Sequence, residues 1–276
     1  MIQCYIDESI HDSCGFVATA FVFAEDGFEK IVEEALRDAG LSPPSEEFKS
    51  SAPMDSDSRM QAARNRMLAL AGSKAKVAVF FGTFNRPTLG KQTLQALQSV
   101  VVRNGIDPGA LTVYCDEEIF PSAREAIRLH TLFYFLRQCT IYPREDSRKR
   151  LGIQAADAVA HIFGRILKEE LTGDQKFVDI GGPGTGYDAG TLAPLGWELL
   201  MTLRYGLLAR PMVQAGEPYS PGIDPVVLDP EYDDPVIYGQ HPVLLGWGVQ
   251  IAPEADEVLR SGVENAFGRI WLGCIH

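Results

Sequence analysis

The sequence predicts an α/β layered domain over residues 1–172, followed by a Gly- and Pro-rich acidic extension or small second domain over 173–276. Three observations carry that reading. Two apolar, β-prone runs open the chain with a turn-prone segment between them. Strand-like and helix-like segments then alternate, the pattern of a layered α/β domain. Past residue 172 the texture changes, for 10 of the 17 prolines and 16 of the 26 glycines lie from Glu170 onward.

Ile2–Asp7 reads as a strand and Phe16–Phe23 as a second, joined through Ser9–Gly15 as an antiparallel hairpin. Phe28, Ile31, Val32, Ala35 and Leu36 recur at helical spacing over Gly27–Ala39, with Gly40 placed to end that helix. Ser42–Ser56 is a Pro- and Ser-rich connection carrying Glu46, Glu47 and Lys49. A helix is predicted over Asp57–Ala71 with Ser56 as its cap, then a strand over Lys76–Phe84. A helix over Leu89–Val102, stopped by Asn104-Gly105, precedes a strand Leu111–Cys115 that delivers Asp116 at its end. Pro121–Leu136 is read as mostly helical, Gln138–Tyr142 as a strand, and Gly152–Leu167 as an amphipathic helix. In the extension, short strands over Val243–Ile251 and helices over Leu195–Leu208 and Glu254–Phe267 are predicted. Trp197, Trp247 and Trp271 argue that it packs.

Composition narrows the function. No apolar run approaches the roughly 20 residues of a membrane span, and Met1–Asp7 lacks the basic-then-apolar order of a signal peptide, so a cytoplasmic protein is expected. Cys4, Cys14, Cys115, Cys139 and Cys274 are scattered without CxxC spacing, which argues for free thiols and against a structural zinc site. The net charge of −12 is uneven: 15 acidic and 5 basic residues follow Glu169, whereas the front part is nearly neutral and can host a basic groove. The acidic tail alone would repel nucleic acid.

Four acids, Asp7, Glu47, Asp116 and Asp157, stand out where apolar structure ends. Asp7 and Asp116 each close a strand, and ligands at the carboxyl ends of neighbouring strands meet over one sheet edge. Asp157 shares a helix face with Gln154, His161 and Arg165, while Ile153, Ala156, Ala160, Phe163 and Leu167 form the other face. Clustered carboxylates repel unless a cation sits between them or they share protons. Oxygen ligands without Cys or His select Mg²⁺ or Mn²⁺ over zinc.

The local sequences add to this. Tyr-Ile-Asp-Glu-Ser (Tyr5–Ser9), Glu-Phe-Lys (Glu47–Lys49), Val-Tyr-Cys-Asp (Val113–Asp116) and the block from Asp146 to Asp157 ending Ile-Gln-Ala-Ala-Asp occur in the order seen in the domain-of-unknown-function thirty-eight-hundred family, which the first 170 or so residues resemble. The resemblance implies a ribonuclease-H-like fold, with a mixed sheet and flanking helices. It also implies acidic active-site residues at Asp7, Glu47, Asp116 and Asp157, supported by Lys49 and Gln154. Ile10 follows Ser9 where the family pattern commonly has glycine. Glu47 stands in a Pro- and Ser-rich segment rather than on an obvious helix, with Glu46 beside it as a competitor.

The expected function is a Mg²⁺- or Mn²⁺-dependent nuclease or phosphodiesterase. Asp7 would bridge two metals, Glu47, Asp116 and Asp157 would complete the coordination, and Lys49 would steady the scissile phosphate or the attacking water. Gln154 would orient substrate or a ligand, and the basic run Arg148, Lys149 and Arg150, with Arg144, is placed to grip a nucleic-acid backbone. Arg59, Arg64 and Arg66 would join that groove if their helix packs nearby. Glu8 would point to the opposite face of its strand and would join the site if the strand bends there; Glu117 and Glu118 would supply a ligand if Asp116 turns away, and otherwise read as solvated loop acids. His161 reads as a surface imidazole or a proton shuttle; His11 as solvent-facing; and His130, His241 and His276 have no supporting neighbours. Gly181–Gly186 reads as a linker, because no lysine follows to complete a phosphate loop. Two rival readings stand beside the nuclease: a ribonuclease-H-like scaffold whose acidic tail docks a basic protein, and a nucleotide phosphohydrolase. A role in defence against foreign nucleic acid rests on analogy with the fold.

Overall fold

The computed structural model describes residues 1–54, 56–204, 206–208, 243–246 and 248–268. Trp247, Trp271, Cys274, His241 and His276 lie outside them. Strand β1 (Ile2–His11) pairs antiparallel with β2 (Phe16–Glu25), from Ile2 opposite Glu25 to His11 opposite Phe16. On one side β2 continues antiparallel to β3 (Ala75–Thr83), and on the other β1 runs parallel to β4 (Leu111–Asp116), itself parallel to β5 (Thr140–Glu145). This is the mixed sheet with flanking helices expected of a ribonuclease-H-like domain.

A short hairpin, β6 (Phe177–Asp179) with β7 (Leu192–Pro194), stands apart from that sheet. Strands β8 (Val243–Gly246) and β9 (Val249–Ile251) come from the C-terminal part, and β9 pairs parallel with β3. The full order is β5-β4-β1-β2-β3-β9-β8, so residues far along the chain extend the far edge of the sheet.

Helices α1 (Phe28–Asp38), α2 (Ser58–Lys74) and α5 (Leu151–Thr172) pack together on one face; α3 (Arg86–Arg103) and α4 (Ala123–His130) pack on the other. Helices α6 (Leu195–Leu203) and α7 (Glu257–Gly268) cover α5. The helix start near residue 57 shifts by one from expectation, since the Asp57 carboxylate rather than Ser56 accepts from the Arg59 amide at 2.9 Å. The helix read over Pro121–Leu136 stops at His130. There the imidazole reaches the Leu136 carbonyl, and a short 3₁₀ turn over Tyr134–Gln138 brings the chain back toward β5.

How α5 lies on β1 decides the site. A Cβ on Gly152 would fall 2.5 Å from the Tyr5 ring, and one on Gly164 would collide with the His11 ring, so only glycine lets the helix press onto the strand at both points. From Gly152 to Gly164 the helix rises about 18 Å, and from Tyr5 to His11 the strand advances about 20 Å. The two run together in step. Asp157 therefore comes opposite Asp7, and His161 opposite Ser9. Contrary to the two-faced helix expected, α5 is buried nearly all round, Gln154 included, because α2, α6 and α7 cover the face away from the sheet.

Candidate active site

Strand β1 does not stop at Asp7; it runs on to His11, held by β2 along its whole length. On its other side β4 pairs with it only as far as Ile6 opposite Cys115, and β4 ends one residue later at Asp116. The edge of β1 past Ile6 is therefore uncovered, and Asp7 and Asp116 lie side by side at that opening. Asp7 faces α5. Glu8 faces the other layer, where Arg86 Nη1 lies 3.6 Å from its Oε1. With no strand beside it, Glu8 reaches round the edge: Asp7, Glu8 and Asp116 each offer a carboxylate oxygen within 4.8 Å of the others. The alternation that put Glu8 on the opposite face holds for its backbone, but the carboxylate still joins the group.

Asp157 approaches Asp7 from α5. Its Oδ2 accepts from the Ser50 amide at 2.8 Å and its Oδ1 from the Ser50 hydroxyl, so the 47–50 loop is fastened to it. Phe48 anchors that loop with no exposed surface, which leaves Glu47 and Lys49 on the site side of it. Glu47 Oε1 accepts from the Ser147 hydroxyl and lies 2.9 Å from Lys49 Nζ. Its competitor Glu46 turns away, accepting from the Ser42 amide and pairing with Arg59 at 3.0 Å.

Gln154 acts on the site through that same loop. Its Oε1 accepts from the Phe48 amide and its Nε2 donates to the Ser147 carbonyl, both at 2.9 Å, with the side chain 1% exposed. The residue expected to orient substrate or a ligand thus holds the backbone on either side of Glu47's hydrogen bond. Replacing Gln154 with Leu should leave a buried N–H and a buried C=O unpaired. At 1–3 kcal/mol each, that is a loss of about 3 kcal/mol of stability, measured by urea unfolding. A loss under about 1 kcal/mol would show that the clamp is not holding the loop.

Electrostatics mark the group as strained without a cation. Burial raises the Asp7 carboxyl well above its ordinary range, with Asp157, Glu8 and Asp116 adding repulsion. Glu8 is pushed up to about 8, by burial first and then by Asp116, with Arg86 opposing. Asp116 and Asp157 are raised as well, chiefly by burial. Burial would lower Lys49, but Glu47 and the fields of Asp7 and Asp157 outweigh it and keep the ammonium charged. Glu8 Oε2 is buried with no hydrogen-bond partner among the described residues, although its side chain is 4% exposed. A divalent cation between Asp7, Glu8 and Asp116 would satisfy that oxygen and relieve the repulsion, so the residues present fit a metal.

The basic run is less available than its sequence suggested. Arg148 pairs with Asp146 at 3.1 Å. Arg150 pairs with Glu145 at 3.0 Å and lies 4.5 Å over the Tyr114 ring, so it ties the start of α5 to the sheet. Arg144 donates to the Phe120 carbonyl at 2.6 Å, from a backbone at φ 61 where the β4–β5 register slips. Lys149 is exposed. Arg59 and Arg66 are engaged by Asp57 and Asp38, whereas Arg64 is buried. Glu118 pairs with Arg86 at 2.9 Å and Glu117 is exposed.

His161 is not a surface imidazole: burial, then His11, Arg165 and Arg64, push its pKa down to about 4. His11 is not solvent-facing either. It stacks on Phe16 at 4.6 Å and its pKa is lowered to about 4, mainly by burial. Both are neutral near pH 7. Cys4, Cys14, Cys115 and Cys139 are free thiols. No helix among the described residues is long and apolar enough to cross a membrane.

Ser50 went unmarked in the sequence, and Ser147 stood only inside the Asp146–Asp157 block, with no role of its own. Their signal was faint: each lies within three residues of an acid or amide already singled out, but no spacing rule distinguishes them from other loop serines.

No family model matches the chain, and no curated protein matches it. Among solved structures that match is the crystal structure of ribonuclease H2 from Pyrococcus horikoshii OT3. It is 13% identical and the match spans 64% of this chain and 90% of the other, at a TM-score of 0.34.

Proposed function

We propose that this protein is a phosphodiesterase of the nuclease type that depends on Mg²⁺ or Mn²⁺, with Asp7, Glu8 and Asp116 as the inner ligands. The observation that carries the reading is the unpartnered, buried oxygen of Glu8 within a group of carboxylates whose protonation is favoured in the absence of a cation. Asp157 and Glu47 stand in the outer part of the site, Asp157 beside Asp7 and Glu47 beside Lys49. The motifs at Tyr5–Ser9, Glu47–Lys49, Val113–Asp116 and Asp146–Asp157 support placing the chain with the thirty-eight-hundred family.

When bound, a divalent ion supplies Lewis acidity toward a phosphoryl oxygen and lowers the pKa of water. This chain's residues do the rest. Asp7, Glu8 and Asp116 fix where that charge sits. The Lys49 ammonium, 52% exposed, is free to turn from Glu47 toward a phosphate oxygen. Asp157, held by Ser50 on both oxygens and placed beside Asp7, would accept the proton of an attacking water.

The test is hydrolysis of single-stranded RNA, single-stranded DNA and an RNA–DNA hybrid, with a panel of nucleotides alongside, in Mg²⁺, Mn²⁺ or chelator. Cleavage of a polymer in metal and none in chelator is expected. Cleavage that persists in chelator, or nucleotides consumed while every polymer stays intact, would overturn the reading.

A further inference from the structure

Past Asp157 the same face of α5 carries His161 and Arg165, about 6 and 12 Å further along its axis. They open into a pocket of about 290 Å³ whose other walls include Ser51, Arg64 and Lys176. Ser50, which fastens Asp157, also lines it, so the pocket adjoins the carboxylate site directly. Through Arg64 and Val178, common to both, it continues into a wider groove of about 860 Å³ between α2, the β6–β7 hairpin and α6. There the lining includes Tyr187, Trp197 and Arg204.

The charge of these walls is unlike that of the chain. The pocket beside Asp157 is lined by Arg64, Arg165 and Lys176 and by no acid among the described residues, in a protein of net charge −12. Arg165 is held by Glu169 at 2.7 Å and Arg64 donates to Asn65 Oδ1, which positions both guanidinium groups. Asp179 and Glu198 enter only in the wider groove, beside Arg64 and Arg204. Cations next to the acids and aromatic rings further out form a track suited to a phosphate backbone followed by unpaired bases.

We infer that this groove holds a single strand of nucleic acid. A phosphate flanking the scissile one lies in the pocket between Arg64, Arg165 and Lys176, and unpaired bases rest against Tyr187 and Trp197. The inference builds on the phosphodiesterase reading and narrows its substrate. A duplex keeps its bases stacked inside and offers mainly backbone, so it would leave the aromatic wall unused. The Gly181–Gly186 segment, read from sequence as a linker, is part of the hairpin tip that forms this wall.

The experiment is fluorescence anisotropy of the full chain with labelled 12-nucleotide single-stranded DNA and RNA and the matching duplex, in chelator so that nothing is cleaved. The double variant Arg165→Gln/Lys176→Gln should bind the single strands at least ten-fold more weakly. Its slope of log affinity against log salt should fall by about 0.7, the share of the one phosphate contact that the pocket holds on a single strand. Tyr187→Ala, at a half-exposed position that does not endanger folding, should weaken binding at least five-fold. Lys91→Gln, on α3 in the opposite layer, should match the wild type. The difference between the DNA and RNA arms shows whether the sugar is read. Single-strand binding unchanged in the double variant and in Tyr187→Ala, or a duplex bound more tightly than either strand, would overturn the inference. Failure here with hydrolysis intact removes only the track. Strand binding sensitive to these variants with no hydrolysis in metal removes the phosphodiesterase and leaves the track.

Discussion

Asp7→Asn is expected to lower metal-dependent hydrolysis on the order of 10³-fold while making the metal-free protein more stable. The two effects share one cause. Asp7 is buried, and Asp157, Glu8 and Asp116 all act to raise its pKa, so its ionised form is held at a cost the fold does not recover without a cation. An amide of the same shape keeps the packing against α5 and removes one member of the repelling group. Its carbonyl can still accept from the Glu8 amide, as the Asp7 carboxylate does at 2.7 Å. Substitutions that relieve a strained functional site commonly gain 0.5–2 kcal/mol, so in chelator the melting temperature should rise by about 3 °C. Saturating metal should narrow or reverse the gap, since the wild type alone gains the full binding energy, about 2.7 kcal/mol at a hundredfold excess over Kd. Thermal melts with and without Mn²⁺, run beside the hydrolysis assay, check both halves. A variant that loses activity and stability together would make Asp7 a structural residue, and one that keeps its activity would remove it from the reaction.

The sequence and the structure diverge at identifiable places, and each divergence has a physical origin. Strands β1 to β4 were legible because their inner residues are apolar on a two- or one-residue period, in runs of strand length rich in β-branched and aromatic residues and bounded by turn formers. The end of β1 was not. Glu8, Ser9 and His11 are polar, yet Glu8 to His11 pair with Phe16 to Thr19 across the hairpin, and backbone hydrogen bonding does not require apolar side chains. The polar stripe of α5 was correctly seen as one face, but its burial comes from α2, α6 and the 47–54 loop, all supplied by distant chain. Glu47 could not be placed from composition, because a loop without period is positioned by what it touches. Here those are the buried Phe48 ring and the Gln154 amide, 106 residues further along. The pairing of β9 with β3 is equally invisible, since a three-residue strand carries no period to read.

Stability in chelator is expected to change little below about pH 6.5 and then to fall toward pH 8, and saturating Mg²⁺ or Mn²⁺ is expected to remove the fall. Two sets of groups work against each other. His11 and His161 have folded pKa values of about 4, below the ordinary 6.5, so between those values the unfolded chain holds more protons and stability rises with pH. Glu8 is raised from 4.5 to about 8, so over that span the folded chain holds the extra proton and stability falls as pH rises. Below pH 6.5 two histidines oppose Glu8 and the other raised carboxyls, and the slopes largely offset. Above pH 6.5 the histidine contribution is complete and only the carboxyls remain. Each proton still held then costs up to about 1.4 kcal/mol per pH unit. A bound divalent ion replaces those protons, so it should flatten the upper limb and release protons as it binds, which calorimetry in two buffers of different ionisation enthalpy would count. Glu8→Gln should lessen the same slope without metal, because the amide carries no proton to lose while the other raised carboxyls remain. Stability that stays level or rises between pH 6.5 and 8 in chelator would mean that Glu8 is not holding a proton. The slope persisting unchanged in metal would mean that the cation does not bind among Asp7, Glu8 and Asp116.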